Sequence, residues 1–193
     1  MKLVFVSHNK NKVKEIASLL PNEIELLSLT DIGFHDEIHE TELTLEGNSR
    51  LKAKTIYKQT GMFCFADDTG LEVHALNNRP GVFSARYAGD QRNDDDNIQK
   101  LLHELETLSN RNARFRTVIT LILNEQEFQF EGIVEGTIIS EKRGLSGFGY
   151  DPIFIPENEE RTFAEMELSE KNVFSHRARA FQKMIDFLNI TTF

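Results

Sequence analysis

Two adjacent carboxylates, Asp67 and Asp68, interrupt what would otherwise be one long apolar stretch, and this interruption constrains the chain more than any other feature. The run 62–66 precedes them, the run 71–76 follows, and Thr69-Gly70 lies between. Short apolar runs bounded in this way read as two strands, 62–66 and 71–75, flanking an acidic turn. Neighbouring acids repel each other, so placing them at a strand end needs a reason beyond folding. Either the turn is simply exposed, or the pair serves a divalent cation, with one acid kept as a proton acceptor beside a metal-bound one.

A second constraint lies at the N-terminus. Residues 2–6 read as a buried strand, and Ser7-His8-Asn9-Lys10-Asn11-Lys12 follow at once. Val13, Ile16, Ala17 and Leu20 then recur at helical spacing until Pro21 stops the pattern. A strand, a short polar loop and a helix start form an anion site, because first-turn N–H groups lack partners and the helix dipole favours negative charge there. Lys10, Lys12 and Lys14 add cations. This is not a Walker loop, having neither its glycines nor its Gly-Lys-Ser/Thr ending.

Two further segments carry chemistry. In Ser146-Gly147-Phe148-Gly149-Tyr150-Asp151-Pro152, two glycines bracket an aromatic residue, so the backbone approaches a flat ligand and Phe148 or Tyr150 stacks on a base. Pro152 restricts Asp151 to extended backbone. Without a ligand, the same segment is a glycine-rich turn before a strand at 153–155. Near the C-terminus, Phe174, Ala178, Phe181, Ile185 and Leu188 form one apolar face of an amphipathic helix, and Ser175-His176-Arg177 lie within it after Lys171. A guanidinium offers donors only, which suits a carbonyl oxygen or a phosphate. The alternative is a surface helix with scattered charges.

The remaining pattern predicts a helix at 10–20, a short strand at 24–28, loop to 43 and a helix at 45–60 containing Asn48 and Lys52. An amphipathic helix through Ile98, Leu101, Leu102, Leu105 and Leu108 follows, then a hairpin of strands 114–123 and 127–135 and a strand near 133–140. Helices alternating with strands, plus a hairpin, predict a mixed α/β (α+β) fold with a long central mixed sheet flanked by helices. At 193 residues the chain suits one domain or two closely joined lobes.

Fifteen phenylalanines and no tryptophan give Phe much of the packing. The single cysteine, Cys64, excludes an intramolecular disulfide and reads as a reduced core residue of a cytoplasmic protein. Apolar runs such as 118–123 are too short to span a bilayer, and no signal-peptide pattern precedes the first strand, so no membrane partner is expected. A formal net charge of −9 argues against a broad nucleic-acid surface, though not against a small polyanion met by local lysines and a metal.

Taken together, in this order and spacing, the segments resemble the inosine triphosphate pyrophosphatase family, enzymes that hydrolyse non-standard purine nucleoside triphosphates. The resemblance rests on Ser7-His8-Asn9-Lys10-Asn11-Lys12, Asn48 with Lys52, and Ala66-Asp67-Asp68-Thr69-Gly70-Leu71. It continues through Pro80-Gly81-Val82-Phe83-Ser84-Ala85-Arg86-Tyr87-Ala88-Gly89, Gly147-Phe148-Gly149-Tyr150-Asp151-Pro152-Ile153-Phe154, and Glu170-Lys171 with Ser175-His176-Arg177. The chain departs from the family pattern at His8, Asn11 and Gly47. It departs again in Glu37-Ile38-His39-Glu40-Thr41-Glu42, where a metal-ligand Glu often lies.

The resemblance implies two lobes with an active-site cleft between them, and a homodimer. It implies Mg2+-assisted hydrolysis of inosine, deoxyinosine and xanthosine triphosphates between the α- and β-phosphates, giving the monophosphate and pyrophosphate. Asp68 becomes the proton acceptor or principal metal ligand, with Asp67 and Glu40 as further ligands and Glu37 or His39 as alternatives to Glu40. Ser7, His8, Asn9, Lys10, Asn11, Lys12 and Lys52 are assigned to the phosphate end, and Thr69 to the substrate beside the metal. Phe148, Gly149, Tyr150, Asp151, Lys171, His176 and Arg177 are assigned to the rest of the substrate, chiefly its purine. Phe83 and Tyr87 are expected as exposed aromatics, at the dimer contact or the cleft wall.

Donors from Arg177, His176 or backbone N–H groups would satisfy the 6-oxygen of hypoxanthine or xanthine and oppose the amino group of adenine. Each buried donor left unpaired costs roughly 1–3 kcal/mol. Three other readings are weaker. Maf-type pyrophosphatases have a serine- and arginine-rich first loop, unlike Ser7-His8-Asn9-Lys10. A nucleotide sensor has no need of Asp67-Asp68. Haloacid-dehalogenase phosphatases separate their aspartates by one residue.

Overall fold

The acidic pair does not turn the chain. In the computed structural model, which describes residues 1–21 and 23–190, Cys64–Val73 form one uninterrupted strand, β3, through Asp67 and Asp68. Two strands around a turn were expected. A strand tolerates adjacent acids because successive side chains point to opposite faces, so the two carboxylates need not confront each other.

The other strands are β1 (Lys2–Phe5), β2 (Glu25–Leu27), β4 (Arg79–Gly81), β5 (Asn112–Leu123), β6 (Gln126–Ile138) and β7 (Phe154–Pro156). The α-helices are α1 (Lys10–Ala17), α2 (Leu45–Thr60), α3 (Asp94–Glu104), α4 (Leu168–Phe174) and α5 (His176–Ile190). The strand order is β2-β1-β3-β5-β6-β7, with β4 paired to β3. β1 runs parallel to β2 and β3, whereas β4 is antiparallel to β3 and β7 to β6. The sheet is therefore mixed, as the alternation of elements predicts. β5 and β6 meet at Asn124-Glu125, whose φ angles of 47° and 67° are those of a two-residue hairpin turn. A single strand, β6, covers the ground assigned to two overlapping ones.

The chain divides into two compact units. Unit 1 comprises 1–68, 117–132 and the residues from Arg177 on; unit 2 comprises 69–116 and 133–176. In unit 1, Leu3, Phe5, Phe65, Leu121, Phe181 and Met184 belong to one core cluster. Val4, Val6, Ala53, Ile56, Cys64 and Ile122 belong to another. Unit 2 packs Leu71, Val73, Leu101, Phe115, Phe154 and Phe163 together. Phenylalanine stacking recurs in both, with Phe5 on Phe65 at 4.7 Å between centroids and Phe115 edge-on to Phe154 at 4.7 Å. Among the described residues no helix is long and apolar enough to cross a membrane.

Two further expectations change. The last helix is not continuous, because Ser175 takes an extended conformation (φ −62°, ψ 155°) and separates α4 from α5. Phe174 accordingly packs with unit 2, while Phe181, Ile185 and Leu188 pack in unit 1. Tyr87 is buried, its hydroxyl donating to Glu104 Oε2 at 2.6 Å, whereas Phe83 keeps 44% exposure.

Cys64 is a core residue, its thiol donating to the carbonyl of Ala53 at 3.3 Å. Burial pushes it up to about 12, against the pull of a backbone hydrogen bond. The native protein should therefore react with iodoacetamide at neutral pH roughly a thousand times more slowly than in denaturant. Comparable labelling rates in the two conditions, read by mass spectrometry, would contradict this burial.

Candidate active site

All the charged residues assigned from the sequence to the phosphates and the metal lie in unit 1. At the start of α1, Asn9 is the N-cap, and its Oδ1 accepts from the N–H groups of Asn11 (3.0 Å) and Lys12 (3.2 Å). The N–H of Asn9 in turn donates to Ser7 Oγ at 3.2 Å. Two of the first-turn donors are thus capped, contrary to the expectation that they are unpartnered. The cations are the stronger signal. The first turn holds Lys10 and Lys12 and no acid, which opposes the helix dipole and does nothing for helix stability. His8 and Lys10 are exposed, and His8 Nε2 donates to the carbonyl of Asp36 at 3.0 Å.

Asp67 and Asp68, both buried, look to different partners. Asp67 Oδ2 contacts Lys12 Nζ at 2.9 Å and accepts from Arg177 Nε at 3.2 Å. Arg177 is only 1% exposed, and its Nη1 also donates to Glu15. Burial alone would raise the Asp67 carboxyl, but Lys12 and Arg177 outweigh it and hold the group well below the usual carboxylate range. Burial lowers the Lys12 ammonium, opposed by Asp67 and reinforced by the nearby cations of Lys52 and Arg177.

Asp68 shares its cation with a third acid. Lys52 Nζ donates to Asp68 Oδ1 at 3.1 Å and to Glu40 Oε1 at 2.6 Å. Burial raises the Asp68 carboxyl first, and Glu40 adds to it, against the pull of Lys52. Lys52 itself is raised, because Asp68 and Glu40 overcome its burial. The neighbouring acids are therefore pushed in opposite directions, Asp67 fixed as a carboxylate and Asp68 given a higher proton affinity.

A divalent cation fits Asp68 and Glu40, whose oxygens converge on one ammonium and are the hard donors such ions take. Three cations, Lys12, Lys52 and Arg177, face four acids, Glu15, Glu40, Asp67 and Asp68. Asp67, turned to Lys12 and Arg177, does not complete a triad, and no group of three His, Cys, Asp or Glu suited to a metal occurs among the described residues. Glu37 and His39 are exposed, whereas Glu40 is half-buried.

The helix α2 supplies Lys52 from a face that also buries Asn48, Ala53 and Ile56. Its boundaries follow from Thr44, whose hydroxyl caps Gly47 N–H, and from Gly61, left-handed at φ 66°.

The remaining predicted residues lie in unit 2. Thr69 is half-buried. Phe148 and Gly149 keep partial exposure, but Tyr150 is 3% exposed and its hydroxyl donates to the carbonyl of Ser84 at 3.0 Å. Phe148 is therefore the aromatic with a face to offer. Asp151 opens a 3-10 turn, Asp151–Ile153, instead of continuing extended. Its Oδ2 accepts from Phe148 N–H at 3.0 Å and from Lys171 Nζ at 2.6 Å, and that ammonium lies 5.1 Å from the Phe148 ring centroid. Asp94 Oδ2 accepts from Gly149 N–H at 2.7 Å, completing the tether of the loop. His176 is buried and stacked on Phe115 at 4.6 Å.

Sequence reasoning gave no role to Glu15 or Asn48. The spacing of Lys12 and Glu15, one helical turn, was the only signal for the former; Asn48 was marked by family pattern alone.

Residues 3–187 match the model of the Ham1 family. A dITP/XTP pyrophosphatase of Flavobacterium psychrophilum is 57% identical over 187 residues, covering 97% of this chain and 98% of that protein. One from Flavobacterium johnsoniae is 56% identical over 191 residues, covering 99% and 100%. Among solved structures, a HAM1 protein from Coxiella burnetii superposes with a TM-score of 0.91 at 42% identity, covering 99% of this chain and 100% of that one.

Proposed function

The chain belongs to the Ham1 family, and from that premise we propose how its residues work as a nucleoside triphosphate pyrophosphatase. It hydrolyses deoxyinosine, inosine and xanthosine triphosphates to the monophosphate and pyrophosphate, removing them from the nucleotide pool. The observation that carries this reading is Asp68: buried, and sharing one ammonium with Glu40.

Asp68 and Glu40 hold the divalent cation, taken to be Mg2+, which when bound neutralises phosphate oxygens and lowers the barrier to attack by water. Lys12 and Lys52, with Ser7, His8, Asn9, Lys10 and Asn11 around the α1 start, bind the polyphosphate. Asp68 accepts the proton of the attacking water, being the buried carboxylate that Lys52 and Asn48 hold in place from either oxygen. Asp67 remains ionised between Lys12 and Arg177 and orients both. Thr69 contacts the substrate. Phe148 stacks on the purine, and Gly149, Tyr150, Asp151 and His176 shape its surroundings. Lys171, a donor beside the Phe148 ring, pairs with the purine 6-oxygen. The whole of 1–193 acts as one catalytic domain, a cytoplasmic homodimer without nucleic-acid or membrane partners.

A nucleotide panel with Mg2+ tests this. Pyrophosphate, identified by phosphorus NMR, should leave from deoxyinosine and xanthosine triphosphates well ahead of the adenine and guanine counterparts. Orthophosphate release, or equal rates across the panel, contradicts the reading. Lys171→Met should lower the preference for deoxyinosine over deoxyadenosine triphosphate about tenfold, from the loss of one donor–oxygen pair. An unchanged ratio of kcat/KM values would remove Lys171 from base reading.

A further inference from the structure

Asn48 has no solvent exposure, sits in the first turn of α2, and uses one end of its amide on the Asp68 carboxylate and the other on the backbone beside Glu40. Its Nδ2 donates to Asp68 Oδ2 at 3.3 Å, and its Oδ1 accepts from the N–H of Glu42 at 3.0 Å. The partners fix which way the amide points, since a carboxylate only accepts and a backbone N–H only donates. Lys52, four residues on and on the same helix face, donates to the other oxygen of Asp68 and to Glu40. Each oxygen of Asp68 thus has its own donor, which sets the plane of the carboxylate. The segment carrying Glu40 is pinned at two points, Glu40 itself and Glu42.

An amide orients a carboxylate without neutralising it. That distinguishes Asn48 from Lys52, because the acids keep their charge for a metal ion. A separate observation shows how closely the Glu42 segment is held. A Cβ added at Gly47 would stand 2.7 Å from Glu42 Cβ, 3.0 Å from Glu42 Cγ and 3.0 Å from Oγ1 of the N-cap Thr44. Glycine at this helical position is what lets the segment lie near enough for its N–H to reach Asn48.

The geometry points to Asn48 as the positioning residue of the metal-binding acids. It sets how well Asp68 and Glu40 together hold a divalent cation, acting through them and not on the nucleotide. The inference rests on the reading of the site proposed above.

The test is Mn2+ binding to the intact protein without nucleotide, followed by electron paramagnetic resonance of free Mn2+, with steady-state kinetics on deoxyinosine triphosphate and thermal melting alongside. Asn48→Leu keeps the side-chain size and removes both polar ends. Its Mn2+ dissociation constant should rise, and its kcat fall, by about tenfold or more, as outer partners of metal ligands do. KM at saturating metal should change by less than about twofold. Gly47→Ala is the second variant: it leaves Asn48 intact, suits a helix and displaces Glu42, so Mn2+ binding should weaken by roughly threefold to tenfold. If Asn48→Leu does not fold, Gly47→Ala decides.

Variants that melt lower yet bind Mn2+ and turn over like the wild type would make Asn48 purely structural and overturn the proposal alone. A wild-type protein that binds no Mn2+ and releases no pyrophosphate would overturn it together with the reading of the site.

Discussion

Asp68→Asn should release pyrophosphate from deoxyinosine triphosphate about a thousandfold more slowly than the wild type, while remaining folded. The magnitude is that of a positioned proton acceptor lost from a transition state. Asparagine matches the shape of the carboxyl, but it neither takes the proton of water nor offers a charged oxygen to a metal. Lys52 still has Glu40 as a partner at 2.6 Å, so the substitution does not strand a buried cation. The fold should survive for that reason, with thermal midpoint and circular dichroism close to wild type. A pyrophosphate assay on the purified variant decides the matter. Turnover within a few-fold of wild type would transfer the proton-accepting role to Glu40 or another group.

Arg177→Ala should have its largest effect on stability, a loss of about 3–5 kcal/mol, the usual cost of removing one member of a buried ion pair. The guanidinium is fully enclosed and answers both Glu15 and Asp67, so truncation leaves two carboxylates without their shared cation. Urea unfolding followed by circular dichroism measures the change. Arg177→Lys should recover part of the loss, since an ammonium keeps the charge but not the two-pronged geometry. Full stability in Arg177→Ala would mean that Lys12 and solvent alone satisfy these acids. The result also bears on base selection, because a guanidinium that already donates to Glu15 and Asp67 has fewer donors left for a purine.

Some of this was open to a reader of the sequence. Helix α2 was legible to the residue because its signals are local, Thr44 at one end and Gly61 at the other. The strand–loop–helix start at Ser7 to Lys12 was legible for the same reason. The family resemblance also brought Asp68, Glu40, Lys12 and Lys52 onto one short list, and all four lie in unit 1.

What escaped was whatever depends on partners distant in the chain. Asp67-Asp68 reads as a break in a strand until Lys12, Lys52 and Arg177 are known to stand beside it. The burial of Arg177 is invisible for the same reason, since helical spacing places it next to an apolar face and says nothing of Glu15. The interruption at Ser175 was hidden by an apolar pattern that continues through it, although the two halves serve different cores. Tyr150 looked like a stacking platform, yet a hydroxyl that finds the Ser84 carbonyl draws the ring inward.

Because β3 passes unbroken through its two acids, the difference between them is one of parity. Identical side chains receive opposite duties only because one occupies an odd and the other an even place along the ribbon. Sliding β3 by a single residue against its neighbours would exchange the sides on which all its side chains stand, and with them the two offices. Fidelity of hydrogen-bond pairing between strands, a property of the main chain, thus decides which aspartate meets Lys52 and which meets Lys12 and Arg177.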